Sequence, residues 1–126
     1  MEIFKRQQLI ASQSGEIQEG SFIEKVVLNG DGKITTSSGD IWEGNFKNGK
    51  LHGDGKIVFV DNKIYKGNFK NNMLNGKGSI EFSSGKIISG EFKDNILHGQ
   101  GEISIKNKVV KKGYFRNGTL KISMLK

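Results

Sequence analysis

A repeat of 23 residues constrains this chain more than any other feature. Gly-x-Phe stands at Gly20/Phe22, Gly44/Phe46, Gly67/Phe69, Gly90/Phe92 and Gly113/Phe115, with steps of 24, 23, 23 and 23. Gly-x-Gly stands at Gly30/Gly32, Gly53/Gly55, Gly76/Gly78 and Gly99/Gly101, and every step is 23. The one extra residue therefore falls between Ile23 and Val27. A unit this short cannot bury an apolar face alone, so neighbouring units must stack into one continuous array.

Each unit reads as two strands. Asn48-Gly49, Asn71-Asn72, Asp94-Asn95 and Asn117-Gly118 follow the Gly-x-Phe segments. Ser14-Gly15, Ser38-Gly39, Asp61-Asn62 and Ser84-Gly85 mark the other connections. These pairs tolerate the positive φ angles of tight hairpin turns. Connections this short force antiparallel pairing. Side-chain parity agrees: Leu51, Gly53, Gly55, Ile57 and Phe59 share one face, and His52, Asp54, Lys56 and Val58 the other. The same alternation runs through Leu74–Phe82 and Leu97–Ile105. A period of two held over three units indicates strands.

Glycine weakens a strand, so its regular use requires a reason. Trp42 and Phe46, Tyr65 and Phe69, and Ile88 and Phe92 lie on the apolar face of the strand before each glycine pair. A large ring packs over a neighbour that has no side chain. On that reading Gly76→Val collides with the aromatic row.

Composition narrows the architecture. Apolar residues make up 34%, too few for a thick core, while glycine contributes 18 residues and proline none. With no cysteine, disulfides and thiolate metal sites are excluded, which fits a reducing compartment. Met1–Ile10 holds no apolar stretch of signal-peptide length, and no run is long enough to span a membrane. The net charge is +7, with 20 basic against 13 acidic residues. Residues 1–105 are balanced. The whole excess lies in residues 106–126, which carry no acid.

The residues Trp42-Glu43-Gly44-Asn45-Phe46 through Leu51-His52-Gly53-Asp54-Gly55 resemble the membrane occupation and recognition nexus (MORN) repeat. The pattern recurs from Tyr65 to Gly78. It recurs again with Ile88, Gly90, Phe92, Leu97, Gly99 and Gly101. The end units depart from it. Gln18 and Lys111 take the first aromatic position, and Ile122 and Met124 replace the last glycine pair, as capping units do. The resemblance implies a meander of hairpins in a scaffold or accessory module. It implies a binding or spacing role, as in cytoskeletal, ciliary and membrane-junction proteins.

The expected fold is all-β: a single-layer antiparallel meander of about ten or eleven strands forming one domain over residues 1–126. An edge strand is expected over 7–14, with repeats at 16–38, 40–62, 63–85 and 86–108, and a partial one at 109–126. No enzyme is expected, since no nucleophile, tuned acid–base pair, phosphate loop or zinc spacing occurs. No cofactor or metal is expected either. His52 and His98 share a repeat position two units apart, too far for joint coordination.

The expected role is a non-enzymatic adaptor in a cytoplasmic, cytoskeletal or ciliary assembly. Its partner is a protein, through an acidic or helical segment, and self-pairing into a homodimer is the further option. Candidate contact residues are Trp42 and Tyr65, whose rings a thin sheet leaves open on one side, and the basic end with Lys108, Lys112, Tyr114, Arg116 and Lys121. The alternatives are an anionic membrane surface against the basic end, or an accessory module of an enzyme. Nucleic acid is not expected, because no recognition module accompanies the charge.

Overall fold

The computed structural model describes residues 29–125. Among these described residues nine strands follow one another: β1 (Gly30–Thr35), β2 (Ile41–Lys47), β3 (Lys50–Val58), β4 (Ile64–Lys70), β5 (Met73–Glu81), β6 (Lys86–Lys93), β7 (Ile96–Ile105), β8 (Lys108–Arg116) and β9 (Thr119–Ser123). Each pairs antiparallel with the next, giving one open sheet in sequence order. The single-layer meander inferred from the repeat is therefore the fold. The edge strand expected over 7–14, and the part of the first repeat before Asn29, lie outside the described residues.

Two kinds of turn alternate along the sheet. At one edge, both residues of each two-residue turn have positive φ: Asn48 and Gly49, Asn71 and Asn72, Asp94 and Asn95, Asn117 and Gly118. This turn type matches the right-handed twist of the flanking strands. At the other edge, three-residue loops close with one left-handed residue, Gly39, Asn62 or Gly85. The last connection there differs. Lys106 and Asn107, both with positive φ, form a two-residue tip. One residue is thereby saved, and β8 restores it as a bulge, since Val109 pairs with Ser104 while Lys111 pairs with Ile103. Val110 is squeezed out and exposed.

The core is two transverse rows on one face. Ile34, Trp42, Ile57, Tyr65, Ile80, Ile88, Ile103 and Lys111 face one another in register from β1 to β8. Phe46 pairs with Leu51, Phe69 with Leu74, Phe92 with Leu97 and Phe115 with Leu120. The four phenylalanines and the first three of these leucines are buried. Each such burial contributes about 2 kcal/mol.

The glycine pairs do two different jobs, which parity alone does not separate. The second glycine lies under the packed row: a Cβ on Gly55 would stand 2.9 Å from Leu51 Cδ2 and 3.2 Å from the Phe69 ring. The same holds for Gly101 under Leu97 and Phe115. The covering ring comes from the following strand, not from the preceding one as parity suggested. The first glycine is a bulge residue. Opposite the single Asn45, β3 passes three residues, His52 to Asp54, and Gly53 takes φ 103°. Gly76 repeats this at φ 99°, and a Cβ there would meet nothing closer than Asn68 Cβ at 3.5 Å. The expected collision of Gly76→Val with the aromatic row is thus corrected: the obstacle at Gly76 is backbone conformation.

The register of β9 follows from the same rule. Ile122 occupies the repeat position of Gly53, Gly76 and Gly99 but cannot adopt their positive φ without strain. β9 accordingly passes only one extra residue, Lys121, and its register slips so that Gly113 faces Ser123.

Candidate functional site

One face of the sheet carries more apolar surface than its own core covers. Trp42, Phe59, Tyr65, Phe82, Ile88 and Ile103 pack against the buried rows while remaining half-buried. Phe59 meets Tyr65 edge to face, with centroids 5.1 Å apart at 67°. The Lys63 ammonium lies 5.1 Å from the Phe59 ring and 5.5 Å from Tyr65, and Lys86 lies 5.6 Å from Phe82. These lysines lay charge over the ring faces, an arrangement worth little while exposed to water. Among the described residues no second layer covers this face. Trp42 Nε1 is buried and, among the described residues, has no hydrogen-bond partner.

The expected site residues fall into separate places. Trp42 on β2 and Tyr65 on β4 share the aromatic face, each flanking Ile57 in register. Lys108, Lys112, Tyr114 and Arg116 lie on β8, and Lys121 is the unpaired residue of β9. Three strands separate β4 from β8, so the two candidate groups do not form one site. The basic end is itself divided. The β8 bulge sets Lys108 opposite Ile105, on the same side as Lys111. Lys112, Tyr114 and Arg116 occupy the other side, where Lys112 stands opposite Glu102 and Tyr114 opposite Gln100. The basic groups thus lie on both sides of the terminal hairpin, Lys108 with Lys111 and, opposite them, Lys112 with Tyr114 and Arg116 beside Glu102.

The repeat glycines Gly44, Gly67 and Gly90 face Gly55, Gly78 and Gly101 across the strand pairs. A Cβ on Gly67 would run into the backbone of Lys77 and Gly78. These positions let two backbones meet; they offer no ligand groups.

Three features escaped sequence reasoning. First, Asn72 and Asn95 are more than turn residues: their Oδ1 atoms accept the N–H groups of Leu51 at 2.9 Å and Leu74 at 2.8 Å. Second, the histidine position caps the next hairpin. Asn29 Oδ1 accepts the Asn48 N–H at 2.9 Å, Asn75 Oδ1 that of Asp94 at 3.2 Å, and His98 Nδ1 that of Asn117 at 3.2 Å. Third, the face assigned as polar bears an apolar row of its own, with Ile41, Val58, Ile64, Ile87 and Val109 half-buried. Recurrence at 23 residues was the available signal for the first two.

Among the described residues, no group of three or more His, Cys, Asp or Glu could hold a metal ion. Among the same residues no helix is long and apolar enough to cross a membrane.

No curated protein matches the chain significantly. The family model for the MORN repeat matches residues 42–63, 65–87 and 89–107, in phase with the hairpins β2–β3, β4–β5 and β6–β7. Repeats of this kind form a non-catalytic module that generally makes protein–protein or membrane-lipid contacts. The register, the turn types and the three matched units agree: this chain belongs to the MORN-repeat family.

Proposed function

We propose that the chain is a non-enzymatic adaptor that holds a protein segment against its aromatic face, within a cytoplasmic assembly of cytoskeletal or ciliary type. The observation that carries this reading is the half-buried row of Trp42, Phe59, Tyr65, Phe82, Ile88 and Ile103 on a sheet with no second layer among the described residues. A contiguous apolar strip of this kind gains free energy when an amphipathic helix or extended segment removes it from water. The strip takes one side chain from each of β2, β4, β6 and β7, with Phe59 and Phe82 just past β3 and β5, and a strip this narrow suits one helix better than a globular surface.

A pull-down from the native cell, followed by mass spectrometry, tests this. Wild-type chain should retain a stoichiometric protein partner at moderate salt, because apolar contact is not screened. The Tyr65→Ser/Phe82→Ser variant should lose it while keeping its β circular dichroism. A partner retained equally by both sinks the reading.

The basic end supports a second reading, contact with anionic phospholipid. It is favoured by the charge split, with the whole +7 excess in residues 106–126. Each cation near such a surface contributes about 1 kcal/mol. Because Lys108 and Lys112 lie on opposite sides of the sheet, the terminal hairpin would meet the surface end-on. Replacing Lys108, Lys112, Arg116 and Lys121 by Gln should then abolish salt-sensitive sedimentation with phosphatidylserine vesicles. Unchanged sedimentation would leave this end a solubilising cap.

A further inference from the structure

The edge bearing the two-residue turns carries a line of cations. Lys47, Lys70, Lys93 and Arg116 occupy one repeat position, at steps of 23, and each is the last residue of β2, β4, β6 or β8. All four are exposed. Strand parity puts them on the same side of the sheet, opposite to the side of the neighbouring buried phenylalanines. Lys50, in register with Lys47, adds a fifth charge. Asp94 is the one acid in these four turns.

The first two turns enclose a cleft lined by Lys47, Asn48, Lys50, His52, Lys70 and Asn71. Three ammonium groups and an imidazole around one opening make a seat for an anionic group.

We propose that this edge is a docking site for an extended acidic protein segment, with one carboxylate seated in the Lys47/Lys50/Lys70 cleft and others reaching Lys93 and Arg116. Spacing favours this partner. Successive cations are two strands apart, about 10 Å, which equals three residues of extended chain. A chain with an acid at every third residue therefore meets one cation per repeat without bending. A membrane fits less well. The tips are Asn-Gly, Asn-Asn, Asp-Asn and Asn-Gly, with no apolar residue to insert, and Asp94 would face the anionic surface. The site is distinct from the aromatic face and stands or falls separately from it.

Fluorescence anisotropy tests the proposal. The probe is a labelled peptide of about ten residues, enough to span the four cations, with Glu at every third position among Ser and Gly. A control peptide has the same composition with the Glu residues in one block. The spaced peptide should bind wild-type chain at low salt and bind more tightly than the block. The K47Q/K70Q/K93Q variant should lose about tenfold in affinity. The charge-matched K108Q/K112Q/K121Q variant should lose less than about twofold, and Tyr65→Ser/Phe82→Ser should bind as wild type. Melting curves confirm that each variant is folded. Absent binding, equal affinity for the two peptides, or equal loss in the two charge-matched variants overturns the proposal. So does sedimentation with phosphatidylserine vesicles that depends on Lys47, Lys70 and Lys93 while the peptide fails to bind.

Discussion

Asn95 holds Leu74 at two points. Its side-chain Oδ1 accepts the Leu74 N–H at 2.8 Å, and its own N–H donates to the Leu74 carbonyl at 2.9 Å. Asn72 does the same for Leu51, with distances of 2.9 Å and 3.1 Å. Each clamp joins the tip of one hairpin to the start of the second strand of the hairpin before it. Stacked units are thus stitched along one edge as well as through the sheet ladder.

The clamp makes Asn95 worth more than its turn geometry. Asn95→Gly keeps the positive φ and the backbone bond but removes the side-chain acceptor. A loss of about 1 kcal/mol is expected, the net worth of one such bond with its partly buried donor left unmet. Thermal melting reads it, and faster amide exchange at Leu74 should accompany it. Gly118, at the same repeat position, keeps only the backbone bond to Leu97, at 2.8 Å. A Cβ on Gly118 would stand 3.2 Å from Ile96 Cγ2, so Gly118→Asn is made together with Ile96→Met, the residue type found at Met73; it is expected to stabilise relative to Ile96→Met alone, and a lowered melting temperature would contradict the clamp.

The two glycines of each pair should respond to different substitutions. Gly76, at φ 99°, has space but a strained backbone for any branched residue. Gly76→Val should cost about 1–3 kcal/mol through that strain, and Gly76→Asn much less, since Asn tolerates positive φ. At Gly78, a Cβ would stand 2.9 Å from Leu74 Cδ2 and 3.0 Å from the Lys66 carbonyl. Gly78→Ala should therefore destabilise more than Gly76→Asn. The reverse order in denaturant midpoints would show that the two positions are misassigned.

The period, the strand alternation and the antiparallel order were legible because each rests on a local rule. Positive-φ turn pairs, two-residue parity and connections too short for a crossover leave little freedom. What was not legible depends on register. Parity cannot tell that β3 passes three residues opposite Asn45, so Gly53 and Gly55 looked equivalent. It cannot show that the Lys106-Asn107 tip is one residue short and that Val110 repays it. That bulge is why Lys108, which parity alone sets with Lys112, lies on the side of Lys111 instead. Trp42 and Tyr65 share one face, where Phe59, Phe82 and Ile103 extend the row, whereas Tyr114 lies on the other face.

The register of β9 offers a further check. Ile122 blocks the two-residue bulge that Gly99 allows. Ile122→Gly should permit β9 to adopt the register of β7, moving residue 124 opposite Gly113. Cross-strand nuclear Overhauser contacts between Gly113 and residue 124, in place of Ser123, would report the shift. Contacts that stay at Ser123 would mean that the slip has another cause.

Trp42 is the sole tryptophan and lies on the aromatic face, so the chain carries its own reporter of docking there. The direct measurement is its emission during titration with the partner recovered by pull-down. A saturable shift to shorter wavelength at equimolar stoichiometry is expected, as water leaves the strip, with loss of that shift in Tyr65→Ser/Phe82→Ser. Full-affinity binding with unchanged Trp42 emission would contradict it and move the contact to another surface.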